Sequence, residues 1–464
     1  MYVKNPFSTV AAVSTPRGKG GIATIRISGS DTVEILEKCF VPKGKPLTER
    51  PYRTAVYGEI VNGQDILDTG VCVLYAEGKS FTGELMAELS CHGGLYVTRA
   101  VLDAVFASGA EPAGPGEFTK RAFINGKLSL SEAEAVGRLI DADTKSKMEL
   151  ASGTVRGNLT SRLSDIDKKL SDVMIALYAA IDYPEEDVGT EGEDNIYRVV
   201  TETLNDVKKL SSTYRTGKAV ADGIKTVICG KPNSGKSSIY NSLVGEERAI
   251  VTDVAGTTRD TLEDTADVGG ITLRLIDTAG IHSTGDKVEK IGIERAYAKM
   301  QEAELMICVF DLSLPLGEDE KAFVQESLRC ASEKICVLNK SDLDRKLSGD
   351  DEKYLHDSFK TVVTVSASSP DGTEPLKKAI GSLYNSEKLS PADDALIWDS
   401  VQKASLDRTV SLLESAKEAL EAGAPLDAVG VVCEEALAQL RMVDGRDVSE
   451  DLIAGIFSRF CVGK

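Results

Sequence analysis

The spacing of apolar residues along the chain changes character three times, and each change marks a stretch expected to fold differently. Ile22, Ile25 and Ile27 sit in a compact apolar run, IATIRIS, closed by Gly29, and DTVEILEKCF then spaces its apolar residues as a helix does. The same order recurs where Leu85, Ala87 and Leu89 alternate in ELMAELS and LYVTRAVLDAVF takes up the helical period. Residues 1–120 therefore read as a small α+β domain, closed by PAGPGEFTKR, whose glycines and prolines predict a loop. From Leu128 onward Ala, Leu, Glu and Lys dominate. Ser131 and Glu134 stand at capping-box spacing, and Leu163, Ile166, Leu170, Val173 and Leu177 trace one helical stripe. Tyr183 and Pro184 interrupt it, EEDVGTEGED predicts an acidic solvated turn, and IYRVVTETLNDVKKL resumes the helical period. Similar composition returns late in the chain, in SVQKASLDRTVSLLESAKEALEAG and LDAVGVVCEEALAQLRMV. Between the helical stretches 121–217 and 381–464, residues 218–380 alternate buried-looking strands with helices, the pattern of a doubly wound parallel sheet inserted into a split helical domain.

Length and composition narrow the function. A chain of 464 residues exceeds what one core organises, and 42% hydrophobic with 27% charged residues is ordinary for a globular protein. No apolar run approaches the ~20 residues that span a bilayer, and MYVKNPFSTVAAVSTPRGKGG lacks the pattern of an export signal, so a cytoplasmic address without membrane attachment is expected. Nine cysteines without a C-x-x-C pair and three dispersed histidines suggest neither a disulfide framework nor a zinc site. A net charge of −19 argues against a chain that grips nucleic acid by phosphate neutralisation alone, a mode that needs a basic face, so an RNA partner has to be held locally or through another protein. Cys461 in the closing FCVGK has the spacing of a prenylation signal, but Gly463 and Lys464 fill the places that want aliphatic and small residues.

The chemistry is concentrated in the inserted stretch. GKPNSGKS, Gly230 to Ser237, fits G-x-x-x-x-G-K-[ST] and joins the strand IKTVIC to a helix, the context a phosphate loop needs. Asn233, Ser234, Gly235, Lys236, Ser237 and Ser238 are then expected around the phosphates, with Lys236 on the terminal ones and the Ser237 hydroxyl on magnesium. DTAG follows the strand ITLRLI; Asp277 is placed near the metal and Gly280 at the γ-phosphate, with Thr278 and Ala279 between them. In NKSD, which follows KICVL, the Asp342 carboxylate can accept two hydrogen bonds from guanine, a paired donor edge that adenine lacks. Asn339 and Lys340 belong to the same motif, and Ser366 with Ala367 in SAS offers a backbone N–H to the guanine carbonyl. Thr258, in GTTRD, is the expected magnesium ligand that senses the γ-phosphate. Four such motifs in order, each at a strand end, predict a GTPase, ATP binding being the alternative. Ile281 occupies the position after DTAG where a water-orienting glutamine is usual, and His282 beside it reads as a solvent-facing residue.

The flanking sequence makes the reading more specific. GKGGIATIRISG, SFTGE, CHGG, PGEFTKRAFINGKLSLSEAEAV, TDVAGTTRD, DTAGIH, VEKIGIERA and EDLIAGIFSRFCVGK together resemble the MnmE (TrmE) family of tRNA-modifying GTPases over essentially the whole chain. The GTPase motifs alone also fit ribosome-assembly GTPases such as Era and EngA, but no basic KH segment or basic tail is visible. A signalling switch is the other rival class. Gly114 stands where many members of the family carry arginine before PGEF.

The resemblance implies a Ras-like P-loop domain inserted in a helical domain, preceded by a folate-binding-like domain that forms a homodimer. It implies that residues matching Asn233, Thr252, Val254 and Thr257 hold potassium in place of an arginine finger. Asp253, Ala255 and Gly256 lie in the same nucleotide-binding loop, and Glu289 is the candidate to orient the attacking water, its alternative being an ordinary helix carboxylate. It further implies a one-carbon tetrahydrofolate, 5-formyl- or methylene-, at Arg26, Glu84, Lys127 and Lys464, against the alternative that Arg26 and Glu84 are surface charges. The family's nearly identical ending makes FCVGK a helix end delivering Cys461 and Lys464 to the folate, with a nucleophilic or a merely buried Cys461 both open. Finally it implies the FAD-containing partner MnmG (GidA), with which a carboxymethylaminomethyl or aminomethyl group is installed on C5 of the wobble uridine of certain tRNAs.

Overall fold

Alternation along Ile22–Ser28 turns Ala23, Ile25 and Ile27 to one side, and all three are buried. That strand belongs to a computed structural model that describes residues 8–16, 18–182, 190–245, 264–276, 300–386, 388–445, 455–458 and 460–463. The chain divides into two units, residues 1–137 with 444–464, and residues 138–443.

In the first unit the strands are β1 (Val10–Val13), β2 (Ile22–Ser28), β3 (Phe40–Pro42), β4 (Ala55–Asn62), β5 (Asp65–Tyr75), β6 (Met86–His92) and β7 (Glu111–Pro112). They form one sheet in the order β3-β4-β5-β6-β2-β1-β7, with β1 and β7 parallel and β2 antiparallel to both its neighbours. Helices Thr32–Cys39 and Leu95–Ala107 pack Ile35, Leu36, Val101 and Val105 into one core with Ile25, Ile27 and Leu89. A separate cluster joins Val10 and Ala12 to Ala113 and Phe118. The strand-then-helix order expected from the sequence is therefore present twice.

Two local expectations are corrected. PAGPGEFTKR is a loop only to Gly116, whose φ of 60° reverses the chain, and Glu117–Ile124 is a helix with Phe118, Thr119 and Arg121 buried. The capping box is Ser129 with Glu132, not Ser131 with Glu134: Ser129 N donates to Glu132 Oε2 at 2.9 Å and Glu132 N donates to Ser129 Oγ at 3.2 Å. Ser131 lies inside the Leu130–Ile140 helix and is buried there. The chain's last turn packs Phe457 against Leu130 and Ala133, with Phe123 and Phe460 alongside.

The second unit contains four long helices, Asn158–Asp182, Thr190–Ser212, Ser400–Glu421 and Leu426–Val443, sharing one core. Leu163, Ile166, Leu170, Val173 and Leu177 all face it, so the stripe read from the sequence is the buried one. Of the expected acidic turn, residues 190–194 are helical instead, as the start of Thr190–Ser212. Six further strands, β8 (Ile224–Gly230), β9 (Asp264–Val268), β10 (Ile271–Leu275), β11 (Leu305–Asp311), β12 (Glu333–Asn339) and β13 (Thr361–Thr364), form a sheet ordered β13-β12-β11-β8-β10-β9. All neighbours are parallel except the β9–β10 pair. Every residue of β11 is buried, as a central parallel strand covered on both faces requires. Among the described residues no helix is long and apolar enough to cross a membrane.

Leu170→Ala, which deletes a fully buried side chain from the helical core, is expected to cost about 2–5 kcal/mol. Urea unfolding followed by helix circular dichroism checks this, and a cost below ~1 kcal/mol contradicts the packing.

Candidate functional site

β8, β11, β12 and β13 run parallel in the order β13-β12-β11-β8, and the segments leaving the ends of β8, β12 and β13 meet. β8 runs into the turn 231–235, and the helix Lys236–Gly245 starts directly after it. Two glycines make the turn possible. A Cβ on Gly230, at φ 146°, would lie 2.3 Å from Val309 O, and one on Gly235, at φ 101°, would lie 2.0 Å from Asn339 Nδ2. Asn233 is also left-handed, at φ 63°.

Asn339 ties three motifs together. Its side chain is buried; Nδ2 donates to Ser234 O at 2.8 Å, and Oδ1 accepts from Ala367 N at 3.1 Å. From the loop after β13, Ser366 Oγ donates to Asp342 Oδ1 at 2.6 Å, holding the exposed Asp342 in place. Lys236 is buried; its Nζ donates to Lys231 O at 2.7 Å, and burial lowers its pKa below the ordinary lysine value. Ser237 and Ser238 are exposed at the start of the helix. Among the described residues Ser234 Oγ is buried and finds no hydrogen-bond partner. A glycine-lined turn at a helix start, with a half-desolvated amine and an orphaned hydroxyl, is suited to cradling phosphates.

One residue the sequence reading missed supports this loop. Asp311, at the end of β11, meets Lys340 Nζ at 2.6 Å and accepts from Ser313 N and Oγ at 2.9 and 2.6 Å. Burial alone would raise the Asp311 carboxyl, but Lys340 and Ser313 outweigh it, and its pKa lies below the ordinary value. Lys340 itself has a φ of 64°, so the ion pair holds a side chain on a backbone conformation that non-glycine residues seldom adopt. An acidic residue closing an otherwise apolar strand, LMICVFD, was the available signal.

Thr252, Asp253, Val254, Ala255, Gly256, Thr257, Thr258, Asp277, Thr278, Ala279, Gly280, Ile281, His282 and Glu289 lie outside the described residues, as does Lys464. Among the described residues no group of three or more His, Cys, Asp or Glu is placed to hold a metal.

A second polar cluster occupies the first unit. Arg121 is 6% exposed at its side chain and makes contacts in three directions: Nη1 to both Glu84 oxygens at 3.2 and 3.0 Å, Nε to Glu117 Oε1 at 3.3 Å, and Nη2 to Ser8 O at 2.9 Å. Ser28 Oγ adds a 2.7 Å bond to Glu84. Arg26 pairs with Glu88 at 2.8 Å and stacks its guanidinium on Phe81 and Phe118. With side chains 16% and 22% exposed, Arg26 and Glu84 are not ordinary surface charges. Lys127 lies along the turn that leads into Glu84: its Nζ donates to Gly78 O at 3.3 Å, and a Cβ on Gly83 would lie 3.2 Å from its Cγ. The tail crosses the loop that leads into Arg121's helix: Gly116 N donates to Cys461 O at 3.3 Å, Val462 bridges Pro115, and Ser14 Oγ donates to Gly463 O at 3.0 Å. Cys461 is exposed, so the buried-thiol alternative does not hold. The proline and glycine content of 112–121 predicts a loop and hides Arg121; its spacing of four from Glu117 is the helical sign in that stretch.

Residues 130–461 match the family model described as MnmE helical domain, and residues 9–127 match that of the GTP-binding protein TrmE N-terminus. The tRNA modification GTPase MnmE of Carboxydothermus hydrogenoformans is 37% identical over 98% of this chain and 99% of its own. The proteins of that name from Clostridioides difficile and Thermoanaerobacter pseudethanolicus are 38% and 39% identical, covering 98% and 99% of this chain and 99% and 100% of theirs.

Asp311→Asn keeps the shape but leaves Lys340 without its counter-charge, and a loss of about 1–3 kcal/mol of stability is expected at neutral pH. Because the folded-state pKa is depressed, the pair's contribution is full above the ordinary carboxylate value and fades as pH falls through the folded value. Variant and wild type should therefore converge in acid; an unfolding difference that is constant with pH contradicts the role of the charge.

Proposed function

The chain belongs to the MnmE (TrmE) family of tRNA modification GTPases, and from that premise we propose that it couples GTP hydrolysis to modification of the wobble uridine of certain tRNAs. The chain is a GTP hydrolase that binds GTP and GDP. The observation that carries the finer reading is the Asn339 side chain, hydrogen-bonded at once to the phosphate turn and to the segment after β13.

In this reading Asp342 accepts from guanine while Ser366 fixes its carboxylate, and Ala367 faces the guanine carbonyl. Lys236 leaves Lys231 O for the terminal phosphates, where its partial desolvation strengthens the attraction. Ser237 and Thr258 would hold magnesium, and Asn233, Thr252, Val254 and Thr257 would hold potassium; held there, the cations would supply positive charge against the phosphate oxygens. Glu289 orients the attacking water, a role left vacant by Ile281.

The pair of the buried Arg121 with the half-buried Glu84 supports a second site. Glu84, oriented by Arg121 and Ser28, is suited to accept from the paired N–H groups of a pterin, with Arg26, Lys127 and Lys464 available to the anionic end. A bound one-carbon tetrahydrofolate supplies the carbon that becomes part of the C5 substituent. Arg121 is the positioning residue there, and the tail brings Cys461 to the loop that precedes it. The domains run 1–120, 121–217, 218–380 and 381–464; the protein works in the cytoplasm as a homodimer with an FAD-containing MnmG partner.

GTP turnover is expected to be at least about tenfold faster in potassium than in sodium buffer, and Glu289→Ala to slow it in potassium while leaving GDP affinity nearly intact. Equal rates in the two salts, or a Glu289→Ala enzyme at full speed, contradict the proposed hydrolytic site. Cells lacking the protein should lose the C5-modified wobble nucleoside by mass spectrometry; its persistence contradicts the tRNA assignment.

A further inference from the structure

The net charge of −19 is unevenly distributed. Residues 138–443 carry 37 Lys and Arg against 54 Asp and Glu, whereas residues 1–137 with 444–464 carry 17 against 19. A polyanion is thus repelled by the composition of one unit and meets near-neutrality in the other. Within that neutral unit the cations are again concentrated. Lys43, Lys45, Arg50 and Arg53 fall in a stretch, 43–53, whose only acid is Glu49.

The fold gathers these cations onto one surface. Arg50 donates from Nη2 to Lys43 O at 2.7 Å and from Nε to Lys45 O at 3.1 Å, curling the loop so that both lysines stay on it, exposed. Arg53, at φ 64°, donates from Nη2 to Lys79 O at 2.8 Å and brings that exposed lysine beside the loop. Lys43 Nζ stands 5.2 Å from the ring centroid of Tyr57, a residue that is 47% exposed. Elsewhere in this unit Arg26, Lys38 and Arg121 each face a carboxylate; here the partners among the described residues are carbonyl oxygens and a ring. A solvated face normally interleaves charges of both signs; here Glu49 is the one acid of the stretch and no carboxylate pairs with these cations among the described residues, an excess of positive charge that suits an anion from outside.

We infer that the loop 43–53 with Lys79 is an RNA-docking surface, its cations on phosphates and Tyr57 available to stack on an unpaired base. The inference rests on the reading that the chain acts on tRNA and adds where the RNA lies. The surface leads towards the second polar cluster: the turn 78–83, closed by Gly78 N to Gly83 O at 2.8 Å, runs from Lys79 directly to Glu84. RNA held on Lys79 is therefore one turn of chain from the carboxylate proposed to hold the one-carbon donor.

The test is anisotropy of labelled bulk tRNA titrated with the full-length protein over a range of salt. Lys43→Glu, Lys45→Glu and Lys79→Glu are combined, leaving Arg50 and Arg53 to hold the loop. The triple variant is expected to bind at least about tenfold more weakly at ~100 mM salt, and the slope of log affinity against log salt to shrink by about 2 to 3. GTP turnover should be unchanged. The corresponding triple glutamine variant, which adds no negative charge, should lose the same slope. Wild-type binding with an unaltered affinity and slope in both variants overturns the surface but not the tRNA reading. No tRNA binding by the wild type at ~50 mM salt overturns both. Retained tRNA binding with lost binding to anionic phospholipid vesicles assigns the surface to membranes and overturns the proposal.

Discussion

One buried amide organises the nucleotide side of this protein. Asn339 spends its donor on Ser234 O and its acceptor on Ala367 N, so the turn after β8 and the segment after β13 cannot shift independently. Burial makes the constraint strict, because an amide removed from water that loses either partner costs on the order of 1–3 kcal/mol. Gly235 is part of the same constraint: with any side chain it would collide with the Asn339 nitrogen. The two ends of the proposed nucleotide site are thus set by one residue, and Asp311 steadies the next residue along through Lys340.

The first unit solves a different problem with a buried charge. Arg121 sits among Glu84, Glu117 and Ser8 O, with too little exposure for water to compensate it, so its partners must do so. Its helix starts at a glycine with φ of 60°, where a Cβ would lie 2.9 Å from Phe457 O. The C-terminal segment therefore packs against the turn that launches the arginine, and the same segment carries Cys461. Sequence ends separated by more than four hundred residues, Ser14 and Gly463, are joined by a hydrogen bond in the same unit.

Much of this was legible before any coordinates. Periodicity located β2, β6, β8 and the long helical stripe from Leu163 to Leu177, because burial of one face imposes a repeat on the sequence. The phosphate turn was legible because its glycines are demanded by backbone approach rather than by packing. What stayed hidden depends on contacts distant in sequence. Arg121 and Glu84 are thirty-seven residues apart, and nothing in local spacing says that they meet. The capping box was misplaced by two residues because serine and glutamate recur at the same spacing in SLSEAE, and only the hydrogen bonds distinguish the two registers. Pro112–Arg121 reads as a loop from its sequence since Pro112, Gly114, Pro115 and Gly116 dominate its composition, although the helix begins at Glu117, directly after them.

Guanine selection by a site that Asn339 holds together is the claim on which the functional reading depends. Calorimetric titration of the intact chain with GDP and, separately, ADP examines it most directly. One GDP per chain should bind with measurable heat while ADP gives none; no heat with GDP, or indistinguishable isotherms for the two nucleotides, would contradict it.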